Sequence, residues 1–257
     1  MNDMMTGTAR TCVCLCAALL SVSAVHAGVV DFEPDGNGRL AGGALAKDDT
    51  VVSTQFLATA GVSFGIDTNG DGFPDGASTY YLEARGRNGY NAYLNDRDGT
   101  WDEPCAECAD EMGEYFICPK WGIVRPPDPL LVTYDVPTDV AFGQIWDLDG
   151  KAYLNWTEQW RIEALDVNRD VIDIIESPEA DDHSLNCRPW TWRFDRDELD
   201  IAAVRITHIG TKTNGVGVGF DNFSAATDVP RSLFTAPGAP LFPSVSLDTR
   251  PDETATP

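Results

Sequence analysis

The sequence predicts an all-β protein, built as a sandwich or barrel of many short strands. Apolar and polar residues alternate with period two in several segments, and Leu130, Val132 and Tyr134 share one face of such a strand. Turn signals such as Asp149-Gly150 separate these segments. No long segment carries the apolar stripe of a helix, and no helical pattern alternates with the strands. These properties favour antiparallel sheets over an α/β fold.

Each predicted strand is a run rich in β-branched and aromatic residues, bounded by Gly, Pro, Asn or Asp. The alternation is clear where Trp160, Ile162 and Ala164 oppose Arg161 and Glu163. Before the middle of the chain, the predicted strands are residues 29–33, 51–57, 61–66 and 79–84. After it, they are residues 130–136, 140–148, 159–167, 171–176, 189–194, 204–209 and 216–225.

Residues 96–129 interrupt this pattern with acids, prolines and cysteines. We interpret them as a long disulfide-stapled insertion within one domain that covers residues 28–226. From residue 227 to 257 the chain is rich in Pro, Ser, Ala and Thr and has no periodicity, so we expect a flexible tail without an anchoring helix.

The first 27 residues have the features of an export signal. Arg10 precedes the short apolar run 12–22, and Val25-His26-Ala27 offers a small-residue cleavage site. The apolar run is too short to span a bilayer, and no later segment is long enough either. We therefore expect a secreted or periplasmic protein that is not inserted in the membrane.

The formal net charge of −23 argues against nucleic acids and anionic membranes as partners, because phosphate groups would be repelled. The apolar fraction of 43% is enough for one sizeable core, so the chain is expected to fold rather than stay disordered.

Four cysteines remain after removal of the signal: Cys105, Cys108, Cys118 and Cys187. An even number in an exported chain predicts two disulfides, with three possible connectivities. Zinc is the alternative, since Cys105 and Cys108 have metal-ligand spacing, but the other two do not form a second such pair. A redox function is disfavoured because the surrounding acids would raise the thiol pKa.

The loop 67–75 has the composition of a calcium site. Alternation brings the side chains of Asp67, Asn69 and Asp71 to one side of a tight turn, and the carbonyl of Phe73 and the carboxylate of Asp75 close the shell. All these ligands are oxygens, which a hard cation prefers. The alternative is a solvated acidic turn without metal.

This loop is not an EF-hand, because position twelve is Ser78 where a bidentate Glu is needed. The spacing of its acids instead resembles the calcium loops of thrombospondin type 3 repeats and of bacterial secreted proteins. Those families stack many such loops, whereas this chain has one clear copy.

The two ends of the domain carry a second resemblance. The motifs are Val30-Asp31-Phe32-Glu33, Gln55-Phe56, Gly61-Val62-Ser63-Phe64 and Gly219-Phe220-Asp221-Asn222-Phe223-Ser224. Together they resemble an exported bacterial jelly-roll domain of the galactose-binding-like or carbohydrate-binding-module-like type, as found in PEP-CTERM proteins. The sorting tail and membrane segment of the PEP-CTERM group are missing from this sequence.

The resemblance implies a jelly-roll β-sandwich in which the first and last strands lie side by side. In such sandwiches acids from both strands hold a structural calcium, and Glu33 and Asp221 match those positions. The alternative is that both are ordinary acids flanking core phenylalanines. Many functions share this fold, so the resemblance by itself implies no ligand.

Aromatic residues near the insertion are the candidate ligand platform. Sugar-binding sandwiches stack Trp or Tyr rings on pyranose faces. Trp101 and Trp121 flank the insertion, and Tyr90 and Tyr93 precede it in a Gly- and Asn-rich run.

We therefore expect a secreted, calcium-stabilised, non-catalytic module that binds carbohydrate. One alternative is a structural or adhesive protein that binds a cell-surface protein. The other is a polysaccharide-degrading enzyme, whose paired carboxylates sequence cannot single out among so many acids.

Overall fold

The computed structural model describes residues 28–40, 43–76, 78–86, 104–119, 125–182 and 184–226. The helices are α1 (Leu57–Ala60) and α2 (Ala109–Met112), with 3₁₀ turns at Ala106–Cys108 and Ala152–Leu154. The strands are β1 (Val29–Val30), β2 (Val62–Ile66), β3 (Tyr80–Ala84), β4 (Tyr115–Pro119), β5 (Leu130–Thr138), β6 (Val140–Leu148), β7 (Trp160–Leu165), β8 (Val171–Glu176), β9 (Leu185–Asp195), β10 (Ile201–His208), β11 (Gly219–Asp221) and β12 (Phe223–Ser224). The predicted signal peptide and tail lie outside the described residues.

Ten of the twelve strands in the described part of the chain form two five-stranded antiparallel sheets, and β1 and β12 form a separate pair. The first sheet has the order β2-β5-β10-β7-β8, and the second has the order β3-β4-β11-β6-β9. From β5 to β7, and again from β8 to β11, consecutive strands alternate between the sheets, as they do in a jelly roll. The predicted antiparallel β-sandwich is confirmed.

One apolar core fills the space between the sheets. Trp160 of the first sheet contacts Phe220 of the second, with ring centroids 5.3 Å apart and planes nearly perpendicular. Phe32, Phe64 and Phe223 form a second aromatic group with centroids 5.2 to 6.1 Å apart, in which Phe223 meets both other rings edge-to-face. Full burial of each such side chain contributes roughly 1.5–3 kcal/mol. The strand alternation seen in the sequence is what directs these rings inward.

The two ends of the domain meet. Val29 of β1 lies opposite Ser224 of β12, and Val30 lies opposite Phe223, in an antiparallel pair. The adjacency of first and last strands that the resemblance implied is therefore present, and it places Glu33 and Asp221 at the same end of the molecule.

The predicted strand at residues 51–57 is wrong. Val51 makes only an isolated bridge to Tyr81, and the chain then turns into α1. The side chain of Gln55 causes the turn, because it accepts the N–H of Ser53 at 2.6 Å and donates to the carbonyl of Val51 at 2.6 Å. Local side-chain bonds of this kind compete with strand pairing.

The sequence did not predict β4, which lies inside the proposed insertion. Phe116, Ile117 and Cys118 of this strand are fully buried, so both of its faces are covered. A strand of this kind has a continuous apolar run and lacks the period-two signal. The region 96–129 therefore contributes an internal strand to the second sheet.

Each sheet also has its outer face partly covered. On the first sheet, Leu131, Leu165 and Ala203 form a fully buried cluster under the loop 67–75. A side chain at Gly72, whose φ is +79°, would approach Leu165 to 3.1 Å, so a glycine is required there. On the second sheet, the segment before β4 covers Phe116, Cys118 and Trp146 through Cys108 and Met112.

Candidate functional site

The loop 67–75 is closed by hydrogen bonds from its own backbone. The buried carboxylate of Asp67 accepts the N–H of Gly70 at 2.8 Å and that of Gly72 at 2.9 Å. Asp75 accepts the N–H and the hydroxyl of Thr68 and the N–H of Asn69, at 2.6 to 2.9 Å. These bonds, led by that of the Thr68 hydroxyl, lower the pKa of Asp75.

The remaining predicted calcium ligands take part in the same network. The amide of Asn69 donates to Asp71 at 3.0 Å and to Asp75 at 2.9 Å. Phe73 is half exposed, and the guanidinium of Arg169 lies 4.9 Å from its ring centroid. The structure thus brings the predicted residues together, and calcium binding by this loop stays a prediction.

Arg205 supplies a cation to this loop from β10. Its Nη1 donates to Asp67 at 2.9 Å and to the carbonyl of Gly70 at 2.7 Å, while its Nε donates to Glu163 at 2.7 Å. The side chains of all three charged residues are at most 13% exposed. Arg205 therefore fixes the loop to the sheet, and no local pattern in the sequence links it to Asp67.

A polar cleft of about 340 Å³ opens beside Arg205 on the outer face of the first sheet. Its wall carries the polar side chains of Asp67, Asn69, Arg161, Glu163, Arg205 and Thr207 beside apolar surface that includes Pro129 and Ile209. Because Arg205 and Glu163 hold each other, their polar atoms are fixed before any ligand arrives. Such a surface suits a ligand rich in hydroxyl groups.

The second predicted metal site lies where the chain ends meet. Asp221 is 1% exposed, and its Oδ1 accepts the N–H of Asn222 at 2.7 Å. Its buried Oδ2 has no hydrogen-bond partner among the described residues. Burial, followed by the negative charges of Asp31 and Glu33, raises the pKa of Asp221. A buried carboxylate oxygen without a donor is either protonated or paired with a cation.

Glu33 contributes to the same acidic site. Its Oε1 accepts the N–H of Glu114 at 2.6 Å and that of Tyr115 at 2.9 Å, which fixes it to the start of β4. Burial raises its pKa in spite of these two bonds. Within the part of the chain that the structure describes, no group of three or more His, Cys, Asp or Glu side chains is arranged to hold a metal. A cation here would need backbone or water oxygens as well, which calcium accepts.

The cysteines gather on the outer face of the second sheet. Cys105 and Cys108 form a disulfide, and the N–H of Cys105 donates to the carbonyl of Cys187 at 3.0 Å. Cys118 and Cys187 are buried and are not disulfide-bonded to each other. One of the two predicted disulfides is therefore present in the structure.

The proposed aromatic platform cannot be located. Trp101, Trp121, Tyr90 and Tyr93 all lie outside the described residues.

The structure adds a buried charge cluster that the sequence did not predict. Lys212 Nζ lies 2.6 Å from Asp149 Oδ1 and 2.6 Å from Glu158 Oε1. Glu158 Oε2 accepts the N–H of Asp149 at 3.2 Å. The sequence does predict a turn at Asp149-Gly150. However, no motif near Glu158 or Lys212 indicates that these two residues contact that turn.

His208 lies close to this charge cluster. Its ring packs edge-on against Trp160, with centroids 5.2 Å apart, as expected for an inward-facing strand residue. Burial, and then the charge of Lys212, lowers the pKa of His208 to about 4. The imidazole is therefore neutral at physiological pH.

Two five-stranded sheets around one core define this protein as an antiparallel β-sandwich. No protein-family model and no curated protein matches the chain. Among the described residues, no helix is long and apolar enough to cross a membrane.

Three solved structures show a distant likeness. The K1 cleaved adhesin domain of Lys-gingipain from Porphyromonas gingivalis is 11% identical, with a TM-score of 0.31, over 65% of this chain and 98% of that one. The CBM22-1 and GH10 modules of Clostridium thermocellum xylanase 10B, complexed with xylohexaose, are 12% identical, with a TM-score of 0.32, over 71% of this chain and 28% of that one. The C-terminal family 22 carbohydrate-binding module of that xylanase is 11% identical, with a TM-score of 0.30, over 76% of this chain and 96% of that one. At this distance none of them assigns a function to this chain.

Proposed function

We propose that this protein is an exported, non-catalytic carbohydrate-binding module. The observation that carries the proposal is the polar cleft beside Arg205. Arg161, Glu163, Arg205 and Thr207 project into this cleft from strands, and the ion pairs of Arg205 hold the loop residue Asp67 against them. Sites built on strands are positioned more precisely than sites built on loops alone. A preformed row of hydrogen-bonding groups recognises sugar hydroxyls without side-chain rearrangement.

Arg161 and Thr207 are the cleft residues best suited to contact a sugar. Arg161 is 43% exposed, and its one ion pair among the described residues is a surface pair with Glu176, which leaves other guanidinium donors for a ligand. Thr207 adds a hydroxyl from the neighbouring strand β10. Both side chains are separate from the buried Arg205 pair, and changing them should leave the fold intact.

Replacing Arg161 by alanine should weaken glycan binding by about tenfold or more, since a hydrogen bond to a charged group contributes roughly 1.5–3 kcal/mol. The measurement is calorimetric titration with soluble polysaccharides of several backbone types. Arg193→Ala, on β9 of the opposite sheet, is the matched control and should bind like wild type. If Arg161→Ala and Arg193→Ala bind the polysaccharides equally well, the glycan site does not include Arg161.

The other functional classes predict different results in the same assay. An adhesive protein would bind partner proteins and no glycan. A glycosidase would release reducing sugars on prolonged incubation. Either result would overturn the proposal.

We further propose that calcium stabilises the module where the two chain ends meet, with Asp221 and Glu33 among its ligands. The unpartnered, buried Oδ2 of Asp221 supports this assignment, and a nearby divalent charge would offset the repulsion among Asp31, Glu33 and Asp221. The loop 67–75 is the rival position. In this loop the carboxylate of Asp67 already accepts hydrogen bonds from two backbone N–H groups and from the guanidinium of Arg205.

Calcium at a hundredfold excess over its dissociation constant should add about 2.7 kcal/mol to the free energy of unfolding, or about 5–10 °C in Tm. Asp221→Asn should abolish this shift. Without calcium, the same variant should be at least as stable as wild type, because it removes a buried acid that lacks a donor.

Asp71→Asn is the control for the rival loop and should keep the full shift. If Asp71→Asn loses the shift and Asp221→Asn keeps it, calcium binds the loop 67–75 instead. If wild type shows no shift at all, neither site binds calcium.

A further inference from the structure

The buried charge cluster joins three loops at one end of the sandwich. Asp149 follows β6, Glu158 precedes β7, and Lys212 follows β10. Glu158 is fully buried, and the side chains of Lys212 and Asp149 are 11% and 18% exposed. The Lys212 amino group therefore contacts two carboxyl groups in a position that is largely closed to water.

The backbone around the cluster is held rigidly. Glu158 exchanges two backbone hydrogen bonds with Ala180, at 3.1 and 2.9 Å, and the N–H of Lys212 donates to the carbonyl of Thr157 at 3.0 Å. A side chain at Gly210 would collide with the same Thr157 carbonyl, so the two loops are in close contact. The three side chains therefore meet in a fixed geometry.

The protonation pattern leaves one carboxyl group neutral. Burial raises the pKa of Glu158 to about 8 in spite of Lys212. Burial by itself would lower the pKa of Lys212, but the charges of Glu158 and Asp149 raise it. Asp147 is buried nearby, and its burial, followed by the charge of Asp149, raises its pKa as well.

The reacting atoms are already close. Lys212 Nζ makes a hydrogen bond with Asp149 Oδ1 at 2.6 Å, which places the nitrogen beside an oxygen that is one covalent bond from the carboxyl carbon that it would attack. Glu158 accepts one hydrogen bond from Lys212 Nζ and one from the backbone N–H of Asp149, so its carboxyl group is fixed beside the nitrogen and is positioned to exchange a proton with it.

We propose that Lys212 and Asp149 form an intramolecular amide bond, with Glu158 as the proton shuttle. The ammonium first gives one proton to the Asp149 carboxylate, which makes that carboxyl group neutral and electrophilic, and the resulting amine attacks Cγ of Asp149. A new C–N bond forms and one C–O bond of the carboxyl group breaks. The nitrogen loses its second proton through Glu158 to the departing oxygen, which leaves as water. The ammonium and the carboxylate together contain the atoms of one amide and one water, so no oxidant, cofactor or second substrate is needed.

Asp149 is the acceptor, and Glu158 is the acid–base group. Asp149 is the more exposed of the two, so the released water can leave the cluster. Glu158 has both carboxyl oxygens engaged, one by Lys212 and one by the N–H of Asp149. The product would tie residues 63 positions apart and seal this end of the sandwich covalently. This inference does not depend on glycan or calcium binding.

The test is mass spectrometry of the purified full-length protein after reduction and denaturation. We expect a measured mass that is lower, by one water molecule, than the mass calculated for the chain with all its cysteines reduced. We also expect no tryptic cleavage after Lys212, and fragment ions that join Lys212 to Asp149. A wild-type chain with its full mass and a normal cleavage at Lys212 overturns the proposal. A link from Lys212 to Glu158 overturns the assigned roles.

Two variants separate the reaction from other losses of water. Lys212→Arg keeps the positive charge but has no primary amine, and Glu158→Gln keeps the hydrogen-bonding groups but cannot shuttle a proton. Both should keep the full mass. Cyclisation of Asp149 onto the Gly150 nitrogen would lose the same mass, but it would persist in Lys212→Arg, and that outcome would also contradict the proposal.

Discussion

Replacing Arg205 by methionine is expected to lower the free energy of unfolding by about 3–5 kcal/mol, the usual effect of removing one partner from a buried ion pair. Arg205 is the cation that Asp67 and Glu163 share, and the side chain of Asp67 is fully buried. Without it, two carboxylates would face each other under the loop 67–75. Chemical denaturation at neutral pH measures the change.

Arg161→Met is the matched control for this prediction. Arg161 pairs with Glu176 on the same sheet, but both side chains are more than 40% exposed. The expected change is about 0–1 kcal/mol, as for other surface ion pairs. If Arg205→Met is as mild as this control, then Asp67 is neutralised by something other than Arg205, and calcium in the loop becomes the leading explanation.

Replacing Lys212 by methionine is expected to have an effect of similar size, about 3–5 kcal/mol at neutral pH. Whether Lys212 is present as an ammonium or as an amide, methionine leaves the Asp149 carboxyl group beside the buried Glu158. Lys47→Met is the control, because Lys47 is exposed, and its effect should stay within about 0.5 kcal/mol.

The loss caused by Lys212→Met should depend on pH. Burial already raises the pKa of Glu158 to about 8, and removal of Lys212 takes away the interaction that lowers it. Below pH 8, Glu158 is protonated in the folded state of both proteins, so its titration cancels when the two are compared. Above that pH the folded wild type can release this proton beside Lys212, whereas the folded variant keeps a proton that its unfolded chain has lost, so the variant continues to lose stability as pH rises. Unfolding curves at pH 6 and pH 9 should show the larger loss at pH 9. A loss that does not change with pH would mean that packing of the lysine stem, rather than its charge, is what stabilises the cluster.

Much of the fold could be predicted from the sequence, because strand periodicity is a local property. The segment 140–148 was predicted with the bounds that β6 has, and 171–176 with those of β8. The failures also have local causes. Residues 51–57 contain β-forming side chains, but the bonds of Gln55 turn the chain, and β4 is covered on both faces and so lacks alternation.

The candidate sites were predictable only in part. Two short motifs show candidate sites in the sequence. One is the run of acids and glycines in the loop 67–75, and the other is the set of acids at the two ends of the domain. The structure brings the members of each group together. The polar cleft and the Lys212 cluster are not visible in this way. Their members come from separate strands and loops, and the spacing along the chain carries no record of the pairing.

The sequence by itself determined which segments become strands, where the chain turns tightly, and that an excess of acids must be accommodated. Only the tertiary structure decided which acid meets which base. Arg205 reaches Asp67 across 138 positions, and Lys212 reaches Glu158 across 54. The reason is physical: side-chain periodicity is set by the local backbone geometry, whereas burial and charge pairing depend on which strands the sheets place side by side.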